Sequence, residues 1–406
     1  MIIVKGGVTA PKGFLASGIK AGIKYSGRKD LALLYSEVPA YAAGAFTTNA
    51  CKASPVRISM SHLKARTHQA VVVNSGNANC ANGAAGDRDA IRMAASAAKA
   101  LCIDPISVLV ASTGIIGRKL PVEKIEKALP SLVSGLSGRK GSDFAETIMT
   151  TDTRKKEYAV KVRIGRTVVT IGGACKGVGM IYPEMRVTPH ATMLAFIATD
   201  AAISKKMLER SLAEAVRDTF NMVSVDGDMS TNDSCFIMAN GLAGNAAIKH
   251  AGGDYRKFTA ALVYLAGELA KMLASDGEGA TKFVEIKVEG ARTAEEARKV
   301  ARRISASNLL KCAIFGVDPN WGRIFAAAGA SGVELDTDKM DIYLGPVKAL
   351  SNGAIAKGFD KEKARKFLKG DKVAIRVDLK SGRAEATAWT CDFSKEYVAI
   401  NSEYST

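Results

Sequence analysis

The stretch Thr188–Phe196 reads TPHATMLAF. It passes from turn-forming residues into an apolar run, with one hydroxyl, Thr192, at the seam. A Thr hydroxyl is a poor nucleophile unless a base stands beside it. One arrangement needs no histidine: the residue's own α-amine, when Thr is N-terminal. That amine titrates at about 7.7–8, so a useful share is neutral near physiological pH. To expose it in mid-chain, the Ala191–Thr192 bond has to break. The Thr192 hydroxyl can attack the Ala191 carbonyl, shift the acyl group to oxygen, and leave the ester to water. A small residue before Thr192 and a strained turn at the bond both favour that attack. The plainer reading is that Thr192 only marks where a loop meets a buried element.

Other chemistries are poorly served. The four histidines are His62, His68, His190 and His250. None lies in an H-E-x-x-H or G-x-S-x-G context, and His190 reads as a loop residue. No His/Cys pair has zinc-ligand spacing, so no metal is expected. GGACKGVGM sets a Lys between glycines but lacks the P-loop spacing, and no G-x-G-x-x-G opens a helix after a strand. What the glycine loops do offer is free backbone N–H. Ser112-Thr113-Gly114-Ile115 follows the apolar run SVLVA, where a hydroxyl and an N–H can be aimed at one point, as in an oxyanion hole. Such loops also serve simply as turns.

The elements that have to position these groups are those of an α/β (α+β) chain without repeats. AVVVNSGNANCANG, SVLVASTGIIG, TVVTIGGACKGVG and FVEIKVEG are β-branched runs ending in Gly, Asn or Ser, which reads as buried strands feeding tight loops. Ser204 is placed to cap a helix that puts Met207, Leu208, Leu212, Val216 and Phe220 on one face. Thr293 and Glu296 form a capping box before EEARKVARRISAS. Phe258, Leu262, Leu265, Leu269 and Met272 recur at helical spacing up to Ser275. A boundary near Lys282 divides a larger domain, 1–282, from a smaller one, 283–406. In the smaller part FVEIKVEG, a helix and LLKCAIFG read as a β-α-β unit. The closing CDFSKEYVAINSEYST has more apolar and aromatic groups, Tyr397 and Tyr404 among them, than a solvated tail needs. It is expected to be tied down against a site.

Composition bounds the partners. Of 406 residues, 47% are hydrophobic and 24% charged, which is ordinary soluble composition. The seven cysteines are scattered with no C-x-x-C, which reads as small buried thiols in a reducing compartment. No secretory signal and no run of about twenty apolar residues is seen, so no membrane span and a cytoplasmic location are expected. The net charge of +17 is spread among acids, without zinc-finger spacing or RNP-like aromatics. It reads as a solvated surface, then as a site for anionic small molecules, and only last as nucleic-acid binding.

KGVGMIYP followed by ATMLAFIATDA resembles the ornithine acetyltransferases (glutamate N-acetyltransferases) of arginine biosynthesis. GVTAPKGFLASGIKAGIK, AAGAFTTNACKASPV, VVVNSGNANCANG, ASTGIIGRKLP, IMTTDTRKK, SVDGDMSTNDS, SDGEGATKFVEI, GVDPNWGRI and INSEYST resemble that family's motifs in order, over nearly the whole chain. The resemblance implies an N-terminal-nucleophile-like layered sandwich of the ornithine acetyltransferase/aminopeptidase type, with a smaller C-terminal α/β domain. It implies a self-inflicted cut between Ala191 and Thr192, giving α (1–191) and β (192–406) chains that assemble as an α2β2 heterotetramer. It makes Thr192 the nucleophile of both the cut and the acetyl transfer. Thr113 and Gly114 become the oxyanion hole, and Thr150, Lys176, Thr192, Glu278, Asn401 and Thr406 the substrate contacts.

These roles suit the residue types. N-acetylornithine and glutamate share an α-carboxylate, for which Lys176 is a point charge and Thr150 a hydroxyl donor. Glu278 can meet the ornithine ammonium. The implied reaction is ping-pong: acetyl passes from acetylornithine to Thr192, then to glutamate. No cofactor is implied. Some members also take acetyl-CoA as donor, and no local motif separates the two groups. A self-processing aminopeptidase or amidase of the same fold type, with water as acceptor, is the other reading. One departure stands out: Arg186 to His190 read as about five extra residues between Pro183 and the cut.

Overall fold

The computed structural model describes residues 1–24, 26–187 and 193–403. Two parallel strands, Leu194–Thr199 and Ser234–Ala239, lie at the centre of a ten-stranded sheet, with Phe196 paired to Phe236. Every residue of both strands is buried, so both faces of the sheet are covered there. Alternate side chains go opposite ways. Ala195, Ile197, Cys235 and Ile237 meet the helices Lys205–Asp218 and Gly253–Ser275. Leu194, Phe196, Ala198, Phe236 and Met238 meet a second layer of strands.

The long strand Leu31–Thr47 makes that second layer. Its end pairs with Ser234–Ala239, its start with Phe14–Ile19 and His68–Asn77, and its register to His68–Asn77 shifts between Tyr35 and Ala40. Irregularity of this kind bends a strand, and the sheet folds over on itself. The alternation then repeats. Ala32, Leu34, Val71, Val73, Leu109 and Ala111 turn inward to the central aromatics. Leu31, Leu33, Val72, Val108 and Val110 turn outward to the helices Gly83–Leu101 and Val122–Ser134. The order is helix, sheet, sheet, helix, the layered sandwich expected from the sequence. Phe196 locks the two sheets, with Phe144 edge-on at 5.1 Å and Phe236 stacked at 5.8 Å. Its burial is worth about 1.5–3 kcal/mol.

The helices mostly follow their signals. Ser204 caps Lys205–Asp218 by accepting the Met207 N–H, and Thr293 caps Ala294–Ser305 by accepting the Glu296 N–H. The Glu296 carboxylate departs from the expected box and takes Arg292 instead. LLKCAIFG is not a strand. It lies in the helix Asn308–Phe315, capped by Ser307, because a short apolar run carries no period of its own. FVEIKVEG is a strand, Phe283–Ala291, but alternates in burial rather than being wholly buried. It runs parallel to Lys372–Asp378 in a second, seven-stranded sheet, to which Val223–Ser224 adds an edge. One core joins the helical face of the large sheet to this second sheet.

One long apolar helix belongs to the core, and the expectation that the cysteines are all buried needs correction. The helix Gly253–Ser275 is, by length and composition alone, apolar enough to cross a membrane. Its Phe258, Leu262, Leu265 and Leu269 are buried in the core. Cys51, Cys102 and Cys312 are exposed, while the other four thiols are buried; all seven are unpaired.

Candidate active site

A cavity of about 150 Å³ opens where the central strands end. Thr113, Gly114, Thr150, Lys176, Glu278 and Asn401 all line it, brought together from widely separated parts of the chain. Ala191, Thr192 and Thr406, predicted for the same site, lie outside the described residues, as does His190. His62 and His68 bond elsewhere, to the carbonyls of Val108 and His62.

The Thr113–Gly114 corner is built by a bulge. Val108–Ile115 runs parallel to His68–Asn77 until Asn77, which faces both Thr113 and Ile115. Gly114 has φ 131°, and a methyl there would lie 2.5 Å from the Asn77 nitrogen. Only glycine fits. Asn74 Nδ2 donates to the Asn77 carbonyl at 2.9 Å, and Asn232 Nδ2 donates to the carbonyls of Ala78 and Ser112 at 2.6 and 2.9 Å. These bonds hold the corner still.

Lys176 ends the strand Thr167–Lys176, which forms a hairpin with Lys156–Ile164 through Gly165 at φ 57°. Its Nζ donates to Thr150 Oγ1 at 2.8 Å and Thr113 Oγ1 at 3.2 Å. Burial lowers its pKa, against the pull of Asp152. Asp152 accepts the N–H groups of Thr150 and Gly177 and the Lys156 ammonium. Burial pushes this carboxyl up, but Lys176 and Lys156 outweigh it and hold it at about 2. Lys156 is itself fully buried between Asp152 and Asp276. The charge beside the cavity therefore stands on a fixed, paired base.

The glycine loop after Lys176 is pinned from the other wall. Asp226 accepts the N–H groups of Met180 and Ile181, the latter at 2.9 Å. Glu278 accepts Thr151 Oγ1 at 2.7 Å and Asn401 Nδ2 at 3.0 Å. A side chain on Gly179 would run into that carboxylate. Asn401 sits on the helix Lys395–Glu403, which is tied down as the sequence suggested. Tyr397 donates to Asp226 at 3.4 Å and stacks on Phe393, and Ser394 Oγ donates to the Gly279 carbonyl at 2.6 Å.

Met193, next to the predicted cut, has φ 142°, a region that non-glycine residues rarely occupy. Arg186, the first of the extra residues, ends a short strand, Met185–Arg186, paired to Phe46 and Thr47 and clamped by Asn221 on both sides of Met185. Sequence reasoning missed Thr151, Asp152, Asp226, Asn232 and Asp233. IMTTDTRKK and SVDGDMSTNDS were legible as motifs, and their acids beside apolar strands were the available signal.

Comparison with known proteins places the chain. A family model described as the ArgJ family matches residues 15–406. The "Arginine biosynthesis bifunctional protein ArgJ" of Symbiobacterium thermophilum is 48% identical over 403 residues, covering 99% of each chain. That of Dehalococcoides mccartyi is 48% identical over 407 residues, covering all of this chain and 98% of its own. A crystal structure of the ArgJ protein from Bacillus halodurans is 43% identical, with TM-score 0.50 over 52% of this chain and 98% of its own. Matched by the family model over nearly its full length, and by relatives end to end, the chain belongs to the ArgJ family.

Proposed function

We propose that this chain moves acetyl from N2-acetyl-L-ornithine to L-glutamate in two steps, through an acetyl ester on Thr192. Membership of the ArgJ family, whose relatives of equal length are named as bifunctional arginine-biosynthesis proteins, supports acetyl transfer in that pathway. The observation that carries the reading is the buried Lys176 ammonium, bonded to Thr150 and Thr113 in one cavity with Gly114 and Glu278.

Both substrates carry an α-carboxylate, and a buried ammonium attracts it more strongly than one in water. Thr150 supplies a second donor. Glu278 receives the ornithine ammonium. Asn401 carries both a donor and an acceptor, so its amide serves the ammonium of one substrate and the side-chain carboxylate of the other. Thr113 and Gly114 supply the donors that stabilise the tetrahedral oxyanion of each step. The Thr192 amine, once free, takes the hydroxyl proton. No cofactor is needed for these steps.

The strained backbone at Met193 supports a cut just before it. So does the extent of the Bacillus halodurans chain, which matches almost throughout yet spans only 52% of this one. Assembly of the two pieces as α2β2, acetyl-CoA as a second donor and a cytoplasmic location complete the proposal. Intact-mass analysis tests it. Two fragments summing to the chain plus one water, the second beginning at Thr192, are expected, and Thr192→Ala should stay whole and transfer no acetyl. An uncut wild-type chain with full activity would refute it. Glutamate acetylation with acetyl-CoA alone tests the second donor.

A further inference from the structure

Asp233 has no task in the scheme above. It is 4% exposed and lines the cavity, and its Oδ2 has no hydrogen-bond partner among the described residues. Its neighbours fix its place. The Asn232 amide is bonded to the Ser112 carbonyl, beside Thr113, and the Ser234 N–H donates to the Met193 carbonyl. Asp233 therefore stands between the oxyanion corner and the residue that follows Thr192. The charged groups that act on it are Lys176, from the strand Thr167–Lys176, and Asp226, from the loop before Ser234–Ala239; Asp228 and Glu278 line the same cavity. A buried carboxylate with an unpartnered oxygen is costly, and the neutral acid is favoured. Burial accordingly pushes this carboxyl well above the usual range, against the opposing pull of Lys176. A neutral acid at a reaction centre holds a proton it can give.

We propose that Asp233 gives a proton to the departing ornithine nitrogen and takes one from the arriving glutamate ammonium. This rests on the reading of Thr192 as acetyl carrier. In the first step the amide C–N bond of acetylornithine breaks as the ester bond to Thr192 forms. The nitrogen gains two protons, one from Asp233 and one from the Thr192 hydroxyl, relayed by the Thr192 amine. Ornithine leaves as the ammonium, and Asp233 remains as a carboxylate facing Lys176. In the second step Asp233 takes one proton from the glutamate ammonium. The freed amine attacks the ester carbonyl. Its second proton passes through the Thr192 amine to the Thr192 oxygen as the ester bond breaks. N-acetylglutamate leaves with one N–H, and both enzyme groups regain their protons.

Asp233→Asn keeps the shape and removes the titrating acid. Acetylation of the enzyme is measured with two donors on one preparation: N-acetylornithine, whose amine needs a proton to leave, and 4-nitrophenyl acetate, whose phenolate does not. The ratio of the two rates should fall about 100-fold, within the usual reach of general acid catalysis. Asp233→Glu should recover part of that ratio. An unchanged ratio, or loss of both activities together, overturns the assignment. Wild-type enzyme that gains no acetyl group on the peptide beginning at Thr192 refutes the underlying reading instead, whatever Asp233 does.

Discussion

At Gly114 the backbone of the neighbouring strand fills the space a side chain would need. Gly114→Ala has to move the bulge to fit. It should lower kcat by about 10²–10³-fold, the range for losing one oxyanion donor, in steady-state acetyl transfer from acetylornithine. Lys176→Met should raise KM for acetylornithine and glutamate together, because both bring a carboxylate to the same cation; a change for only one would contradict a shared site. His68 carries a pH prediction of its own. Burial, opposed by the hydrogen bond to the His62 carbonyl and helped by the charges of Lys205 and His62, lowers it from 6.5 to about 4. Between those values the unfolded chain binds a proton that the folded one refuses, so stability falls as pH drops through the window. The loss is about 3 kcal/mol, read by urea unfolding from pH 7 to 4, and His68→Leu should flatten the slope. At this scale loop chemistry alone singled out Thr113 and Gly114, while Thr150, Lys176 and Glu278 came from the family resemblance; all five line one cavity. Asp226 and Asp233 could not be singled out. Their character comes from burial and from which N–H groups reach them, and SVDGDMSTNDS by itself reads as an acidic turn.

Elements were legible in proportion to their length and punctuation. The helix Lys205–Asp218 has its serine cap and four of the five expected apolar positions, Met207, Leu208, Leu212 and Val216; Phe220 falls past its end in a short 3-10 turn. Ser204→Ala should cost about 1 kcal/mol in denaturant unfolding with activity retained, since only one N–H loses its partner. The helix Asn308–Phe315 is eight residues of mostly apolar type, too short for periodicity to separate helix from strand; Ser307 was the sign to weigh. The folding-over of Leu31–Thr47 was not legible either, because no pattern within a strand announces which distant strand will receive its far end. Its effect is concentrated in Phe196, packed between the two sheets. Phe196→Ala should cost about 3–5 kcal/mol and lower the unfolding midpoint accordingly.

Across the whole molecule, the helix Lys395–Glu403 contributes to the cavity without contributing to the core, for none of its residues is buried. Removing residues 395–406 should leave the melting temperature within a few degrees while raising KM for both amino acids, because Tyr397 and Asn401 leave with it. The layers of the sandwich are knitted from both sides of position 192. In the large sheet Leu194–Thr199 and Ser234–Ala239 lie between Thr167–Lys176 on one flank and Leu31–Thr47 on the other, so later strands are enclosed by earlier ones. Severing the backbone before Thr192 would leave that weave in place, and the two pieces would hold together through ladder bonds and shared core. It would nonetheless change what the molecule can undo. An intact precursor regains its shape as a single thread, at a rate indifferent to dilution. Once nicked, the same shape has to be found by two separate strangers meeting in solution, so recovery from denaturant becomes second order in protein, and thinning the sample tenfold slows it in proportion. The cut would thus make maturation a one-way passage, setting a clock on the enzyme that no later encounter with heat or denaturant can wind back.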